Sequence, residues 1–204
     1  FLRDMTKDED GNWSVTIPLH AGGLSYWYRV WDSSQDWENH RILDPTYKSN
    51  MSPDPFRVYN NNDVLGVVYV PYDEKQNDAT LESRATYELP IEDLTKKGTV
   101  HFDPYTNVLG GTGYLGIYLP AGYDANRAEP YKVVYLAHGV FGDETDWMGA
   151  GNAPNILDNM IARGEIEPTI IVTMGNQINN GKYNYLDTDD QGAATNLVKY
   201  IIPY

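Results

Sequence analysis

Two continuous apolar runs, separated by one amphipathic stretch, constrain the fold of this chain more than any other feature. "KVVYLA" at 132–137 and "PTIIVTM" at 168–174 show no regular alternation of apolar and polar residues. A strand of that kind is expected where both faces of a sheet are covered, as in parallel sheets. Between them, "APNILDNMIARGEI" sets Ile156, Leu157, Met160 and Ile161 on one helical stripe, with Gly164 near its end. Strand, helix, strand implies a right-handed crossover and parallel pairing. A further helical pattern, "DQGAATNLVKYIIPY", carries a stripe of Leu197, Val198, Ile201 and Ile202. It reaches Tyr204 with nothing beneath it to pack against, which predicts a piece of a longer chain.

Upstream, "VLGVVYV", "RATYELP", "GTVHFDP" and "GYLGIYLP" read as strand-like runs broken by Pro, Gly and Asp. Residues 1–57 read differently, as short strands and turns. "DEDGNW" is a hairpin turn signalled by Asp10-Gly11, and "WSVTIPL" alternates as a strand does. "LSYWYRVW" places Leu24, Tyr26, Tyr28 and Val30 on one face and Ser25, Trp27, Arg29 and Trp31 on the other. "DPTYKSNMSPDPF" is loop. These features predict a small all-β sandwich over 1–57. The polar run "YNNNDV" marks a linker at 58–63, and an α/β domain occupies 64–204.

Composition narrows the partners. Hydrophobic residues make up 41% and charged residues 22%, an ordinary globular balance. The net charge of −14 repels nucleic acid and anionic membranes. It suits a neutral partner such as a glycan. No apolar run approaches the ~18 residues that span a bilayer. Cysteine is absent, which excludes disulfides, thiolate metal sites and a cysteine nucleophile but leaves the compartment open. The chain begins at Phe1, within strand-like sequence, so a leader is neither seen nor excluded.

In an open parallel sheet, ligands bind beyond the carboxyl ends of the strands. Two such ends are readable: His138-Gly139 after the first run, and Gly175-Asn176 after the second. Gly139 permits a tight turn that exposes the next backbone N–H groups, those of Val140 and Phe141. Donors placed in that way can stabilise an oxyanion. An ordinary strand-to-loop turn explains the same residues, and spacing alone leaves both readings open. Trp147 and Asn176, following the two strand ends, are candidate substrate contacts, with packing into the fold as the leading alternative for Trp147. Trp27 and Trp31 share one strand face and form a candidate glycan platform, or else a packed interface. His20, His40 and His101 are isolated and lack metal-ligand spacing. Asp143, Glu144 and Asp146 read as caps and solvated loop charges rather than a metal cluster. No cofactor or metal is implied.

"YKVVYLAHGVFGDETDW" followed by "NILDNMIARGEIEPTIIVTMGN" closely resembles the esterase D-like α/β-hydrolases, which include feruloyl, acetyl-xylan and siderophore esterases. The resemblance covers roughly residues 98–202 and rests on the His-Gly-x-x-Gly-Asp-x-x-x-x-Trp run with the helix and strand after it. It implies the amino-terminal portion of an α/β-hydrolase sheet and an oxyanion role for the backbone at Val140, with Phe141 beside it. Members usually carry a small residue where this chain has Val140. The resemblance further implies that the His138 ring orients the loop, against the alternative of a general base. "DEDGNWSVTIPL", "YWYRVWD" and "RILDP" are similar to early-set, immunoglobulin-like glycan-binding modules that precede such esterases.

A serine hydrolase of this class needs Gly-x-Ser-x-Gly, then an acid, then a histidine. The chain has no such elbow. Its serines (Ser14, Ser25, Ser33, Ser34, Ser49, Ser52 and Ser83) all precede His138. The nucleophile, acid and base are therefore expected beyond Tyr204, and the 204 residues alone are expected to be inactive. The resemblance implies a secreted or surface-held bacterial carboxylesterase acting on acylated xylan in plant cell walls. The alternatives are a siderophore esterase and a non-catalytic glycan-binding protein on a hydrolase scaffold.

Overall fold

The computed structural model describes residues 3–30, 41–42, 66–76, 80–139, 143–175 and 192–203. The expectations for Trp31, the 58–63 linker, Val140, Phe141 and Asn176 lie outside the described residues.

Four strands form the main sheet: β7 (Thr99–Thr106), β8 (Thr112–Leu119), β9 (Lys132–Ala137) and β10 (Thr169–Met174). Their order is β7-β8-β10-β9. β9 and β10 run parallel, in register from Lys132↔Thr169 to Ala137↔Met174. The crossover between them is helix α2 (Ala153–Ala162), as the apolar stripe predicts. Gly164, at φ +72, takes the left-handed conformation that closes the helix. β7 and β8 are an antiparallel hairpin, and β8 pairs antiparallel with β10. The sheet is thus mixed and the class is α/β, as expected.

Alternation along the strands builds two cores. Phe102, Tyr118 and Ile171 pack with Met148, Ala153, Leu157 and Ile161 on the α2 side. Tyr105, Leu115, Val172 and Met174 face the other way, onto Leu197 and Ile201. These last two belong to the terminal helix, α3 (Ala193–Asn196) continuing as a π turn over Leu197–Ile201. This corrects the expectation that the helix has nothing beneath it. It also corrects the stripe: Val198 and Ile202 are exposed, because the wider π turn rotates them off the apolar face.

Asp158 of α2 is 1% exposed and ties three elements together. Its Oδ1 accepts the Tyr118 hydroxyl of β8 at 2.7 Å and the Gly98 N–H, just before β7, at 2.7 Å. Burial holds the Asp158 carboxyl above its usual range, and burial with the facing carboxylate raises the Tyr118 phenol as well.

"RATYELP" is not strand. It lies largely in helix α1 (Thr80–Glu88), whose propensity is modest and whose stability is tertiary. The Asn159 amide of α2 donates to the carbonyls of Tyr87 and Leu89, and the Asn155 amide donates to that of Glu88. These bonds satisfy the orphan carbonyls of the helix end. β9 also departs from expectation. Val133 and Val134 are 41% and 43% exposed, because β9 is the edge strand of the described sheet and only β10 covers its flank.

In the amino-terminal part, β1 (Thr6–Lys7) and β2 (Trp13–Ser14) form the hairpin predicted by Asp10-Gly11, with Gly11 at φ +90. "WSVTIPL" is strand only at its first two residues. "LSYWYRVW" is two strands broken at Trp27: β3 (Gly22–Tyr26) and β4 (Tyr28–Arg29), which pairs with β5 (Arg41–Ile42). β3 pairs instead with β6 (Gly66–Val70), on the far side of the expected linker. Each amino-terminal ladder has two strands among the described residues. No described helix is long and apolar enough to cross a membrane.

Candidate active site

The parallel pair ends at Ala137 and Met174, so β9 delivers His138-Gly139 and β10 delivers Gly175 to the same end of the sheet. The chain then runs through Asp143–Gly151, folded as consecutive turns, into α2. Three contacts clamp this segment. Asp143 is buried, and its Oδ1 accepts both the N–H (2.8 Å) and the hydroxyl of Thr145. The Trp147 indole N–H donates to the Ala137 carbonyl at 2.8 Å, fastening the loop to the last residue of β9. The Thr173 hydroxyl, fully buried in β10, donates to the main-chain carbonyl of Glu144.

His138 is 4% exposed, and its Nδ1–H donates to the Gly139 carbonyl at 2.7 Å. A carbonyl only accepts, so this bond puts a proton on Nδ1. The ring is committed to its own loop. Asp146 is exposed by area, yet partial burial and the neighbouring Asp143 raise its carboxyl above the usual range. Asp143 and Glu144 are 8% and 2% exposed, which corrects the expectation of solvated loop charges. They are buried because Asp143 closes the turn and Glu144 fits a glycine-lined recess. Gly139 has no positive φ, and among the described residues a side chain there would meet nothing within 4 Å. The turn expected after it lies at residues 140–142, outside the described residues.

Trp147 is 39% exposed: one edge pins the loop while another remains open to solvent. Trp27, 37% exposed, lies at the β3–β4 break. The structure thus gathers His138, Gly139, Glu144, Trp147 and Gly175 at the strand ends. Sequence reading missed the part of Glu144, Thr173 and Gly116. The available signal was Gly116 itself, a side-chain-free position in the middle of the predicted strand "GYLGIYLP".

The esterase family model described as "Putative esterase" matches residues 106–201. The matched segment contains the β9 end, the clamped loop, α2 and β10. The chain is 32% identical over 112 residues to endo-1,4-beta-xylanase Y of Acetivibrio thermocellus, covering 54% of this chain and 10% of that protein. It is 41% identical over 70 residues to an endo-1,4-beta-xylanase/feruloyl esterase of Xylanibacter ruminicola, covering 33% of this chain and 10% of that protein. A solved ferulic acid esterase matches 53% of this chain and 43% of its own at 26% identity, with a TM-score of 0.48. The chain therefore spans about a tenth of the length of the curated relatives it matches.

Proposed function

We propose that this chain contributes the oxyanion side of a serine carboxylesterase that removes feruloyl or acetyl groups from plant-wall xylan outside the cell. The observation that carries the reading is the His138–Trp147 loop, held by three contacts at the carboxyl end of the β9/β10 pair inside the matched segment. The substrate class is supported by the feruloyl esterase and xylanase names of the relatives. A net charge of −14 is compatible with a neutral polysaccharide and unfavourable for nucleic acid.

In this mechanism a serine from outside the 204 residues attacks the ester carbonyl while a histidine takes its proton. The carbonyl oxygen becomes an oxyanion, which accepts hydrogen bonds from the N–H groups of Val140 and Phe141. Collapse breaks the ester C–O bond and returns the proton to the leaving sugar hydroxyl. Water then releases the acid by the same route. Trp147 and Asn176 contact the acyl group, and the amino-terminal module, about residues 1–57, holds glycan on aromatics such as Trp27 and Trp31.

The test is hydrolysis of methyl ferulate and p-nitrophenyl acetate by the complete product of the gene, beside the 204-residue chain. We expect turnover by the former, blocked by a serine-directed phosphonate, and none by the latter. Val140→Pro removes one N–H and lowers kcat by about 100-fold or more, while Val140→Gly keeps the N–H and most of the activity. A complete product that binds xylan and hydrolyses no ester would establish the non-catalytic reading. Preference for a catecholate lactone over methyl ferulate would move the substrate to a siderophore.

A further inference from the structure

A cavity of about 70 Å³ lies between β6, the start of β7 and the first turns of α2. The amino-terminal ladder supplies one wall. Gly23 of β3 and Tyr69 of β6 are paired residues, so they share a face of that ladder. A Cβ at Gly23 would collide with the Asn152 amide, so the bare glycine lets Asn152 seat against β3. Tyr69 lines the cavity and hydrogen-bonds with the Asn155 side chain. Val100, Met148 and Pro154 make the rest of the lining partly apolar.

Asn152 is the unusual member of this lining. It is 4% exposed and has a left-handed backbone, φ 53, the one such non-glycine residue among those described. It stands at the N-cap of α2, where an Asn side-chain oxygen ordinarily accepts an N–H of the first turn. Here it makes no such bond. Its Nδ2 donates to the Ala150 carbonyl at 3.3 Å, while its Oδ1 is buried with no hydrogen-bond partner among the described residues. A buried acceptor in that state is costly, and a strained backbone adds to the cost. Both fall on one residue in the wall of a cavity, and a ligand in the cavity would offset them.

The lining fixes the chemistry of that ligand. One water needs about 10–15 Å³, so the cavity exceeds a single water several-fold. Its two ionisable side chains of opposite sign, Lys97 and Asp158, attract each other and favour neither an anion nor a cation. The Asn152 oxygen needs a donor, which an ionised carboxylate lacks. A hydroxyl donates and accepts, and so serves both this oxygen and the Tyr69 hydroxyl. Adjacent hydroxyls on a C–H framework match polar groups set beside Val100, Met148 and Pro154. We infer that this cavity binds one edge of a neutral sugar ring, with Asn152 and Tyr69 as its hydroxyl partners. The lining alone sets this chemistry, independently of the esterase reading. Both parts of the chain build the site, and the Gly23 N–H, donating to Glu88 at 2.8 Å, helps hold the ladder in place.

The test follows the Met148 methyl signal in the complete product of the gene, labelled with ¹³C-methyl methionine and assigned with Met148→Leu. Xylose and xylobiose should each shift it saturably, with a Kd of about a millimolar. Sodium acetate and methylammonium chloride should not. Asn152→Gly, whose glycine suits the left-handed backbone, is expected to weaken sugar binding about tenfold. Tyr69→Phe is expected to weaken it about three- to tenfold, and it decides the matter if Asn152→Gly does not fold. Trp27→Ala should leave the titration unchanged, since Trp27 does not line the cavity. No saturable shift at about 100 mM sugar would mean ordered water only and overturn the proposal. An acetate response equal to that of xylose would make this an anion site and overturn it too. So would unchanged sugar affinity in folded Asn152→Gly and Tyr69→Phe, or loss of the Met148 shift in Trp27→Ala.

Discussion

The β7–β10 sheet and the β1–β4 region use the same ingredients to different effect. Both are rich in aromatic and β-branched residues. In the sheet, β7 and β8 pair over eight residues each, and helices cover both faces. Tyr118 and Leu115 are then almost wholly buried. In the amino-terminal part, β1, β2 and β4 have two residues each, and Trp13, Val15 and Val30 are 60%, 41% and 55% exposed. Strand-forming residues do not bury themselves. A strand gains its hydrophobic stabilisation from the layer laid upon it.

Breaking the core should show the contrast most strongly. Leu115→Ala is expected to cost about 3 kcal/mol, measured by urea unfolding, because the cavity forms among Tyr105, Val172, Met174 and Ile201. A cost under about 1 kcal/mol would mean that the α3 side is loosely packed.

Asp158 sharpens the comparison. Asp158→Ala strands the Tyr118 hydroxyl and the Gly98 N–H, at about 2 kcal/mol or more. Asp158→Asn should cost under about 1 kcal/mol, since both bonds fall on the single oxygen Oδ1. The pH dependence has a definite sign. The folded carboxyl lies above its ordinary value of 3.8, so the folded state holds the proton more tightly than the unfolded. Stability from this group is present at low pH and falls as pH rises through the window above 3.8. Asp158→Asn should remove that slope. Asp8, in the β1–β2 hairpin, has the opposite sign: hydrogen bonds from Asn12 lower its carboxyl. Its contribution is present above 3.8 and lost as pH falls through the lowered value. Acid titration followed by NMR at both aspartates checks the two directions.

A smaller effect is expected from cutting the chain. Proteolysis should begin near Asn60–Asp63, in the polar run that marks the proposed domain boundary. The two pieces should still co-elute, because the β3/β6 ladder and the 2.8 Å bond from the Gly23 N–H to Glu88 span the cut. Pieces that separate without denaturant would show that this ladder contributes little. The smallest effect belongs to Trp13→Ala, within about 0.5 kcal/mol, since the ring is 60% exposed and the Lys7 ammonium stands 5.8 Å from its centroid.

What the sequence determined is local and periodic. Unbroken apolar runs specified β9 and β10, a 3.6-residue stripe with Gly164 specified α2, and Asp10-Gly11 specified the first hairpin. The candidate site was legible as far as its address, because a strand ending in His-Gly beside a parallel partner places the loop by topology alone. Tertiary structure decided the rest. "RATYELP" became helix because amides of α2 cap the end of α1. β3 paired with β6, forty or more residues away in the chain. Glu144, which reads as one more charge in a polar loop, is buried with its main-chain carbonyl facing Gly116, 28 residues before it, and its carboxylate facing Gly175, 31 after it. Periodicity records which face a residue takes within its own element. Which other element arrives on that face depends on long-range packing, and no local pattern encodes it.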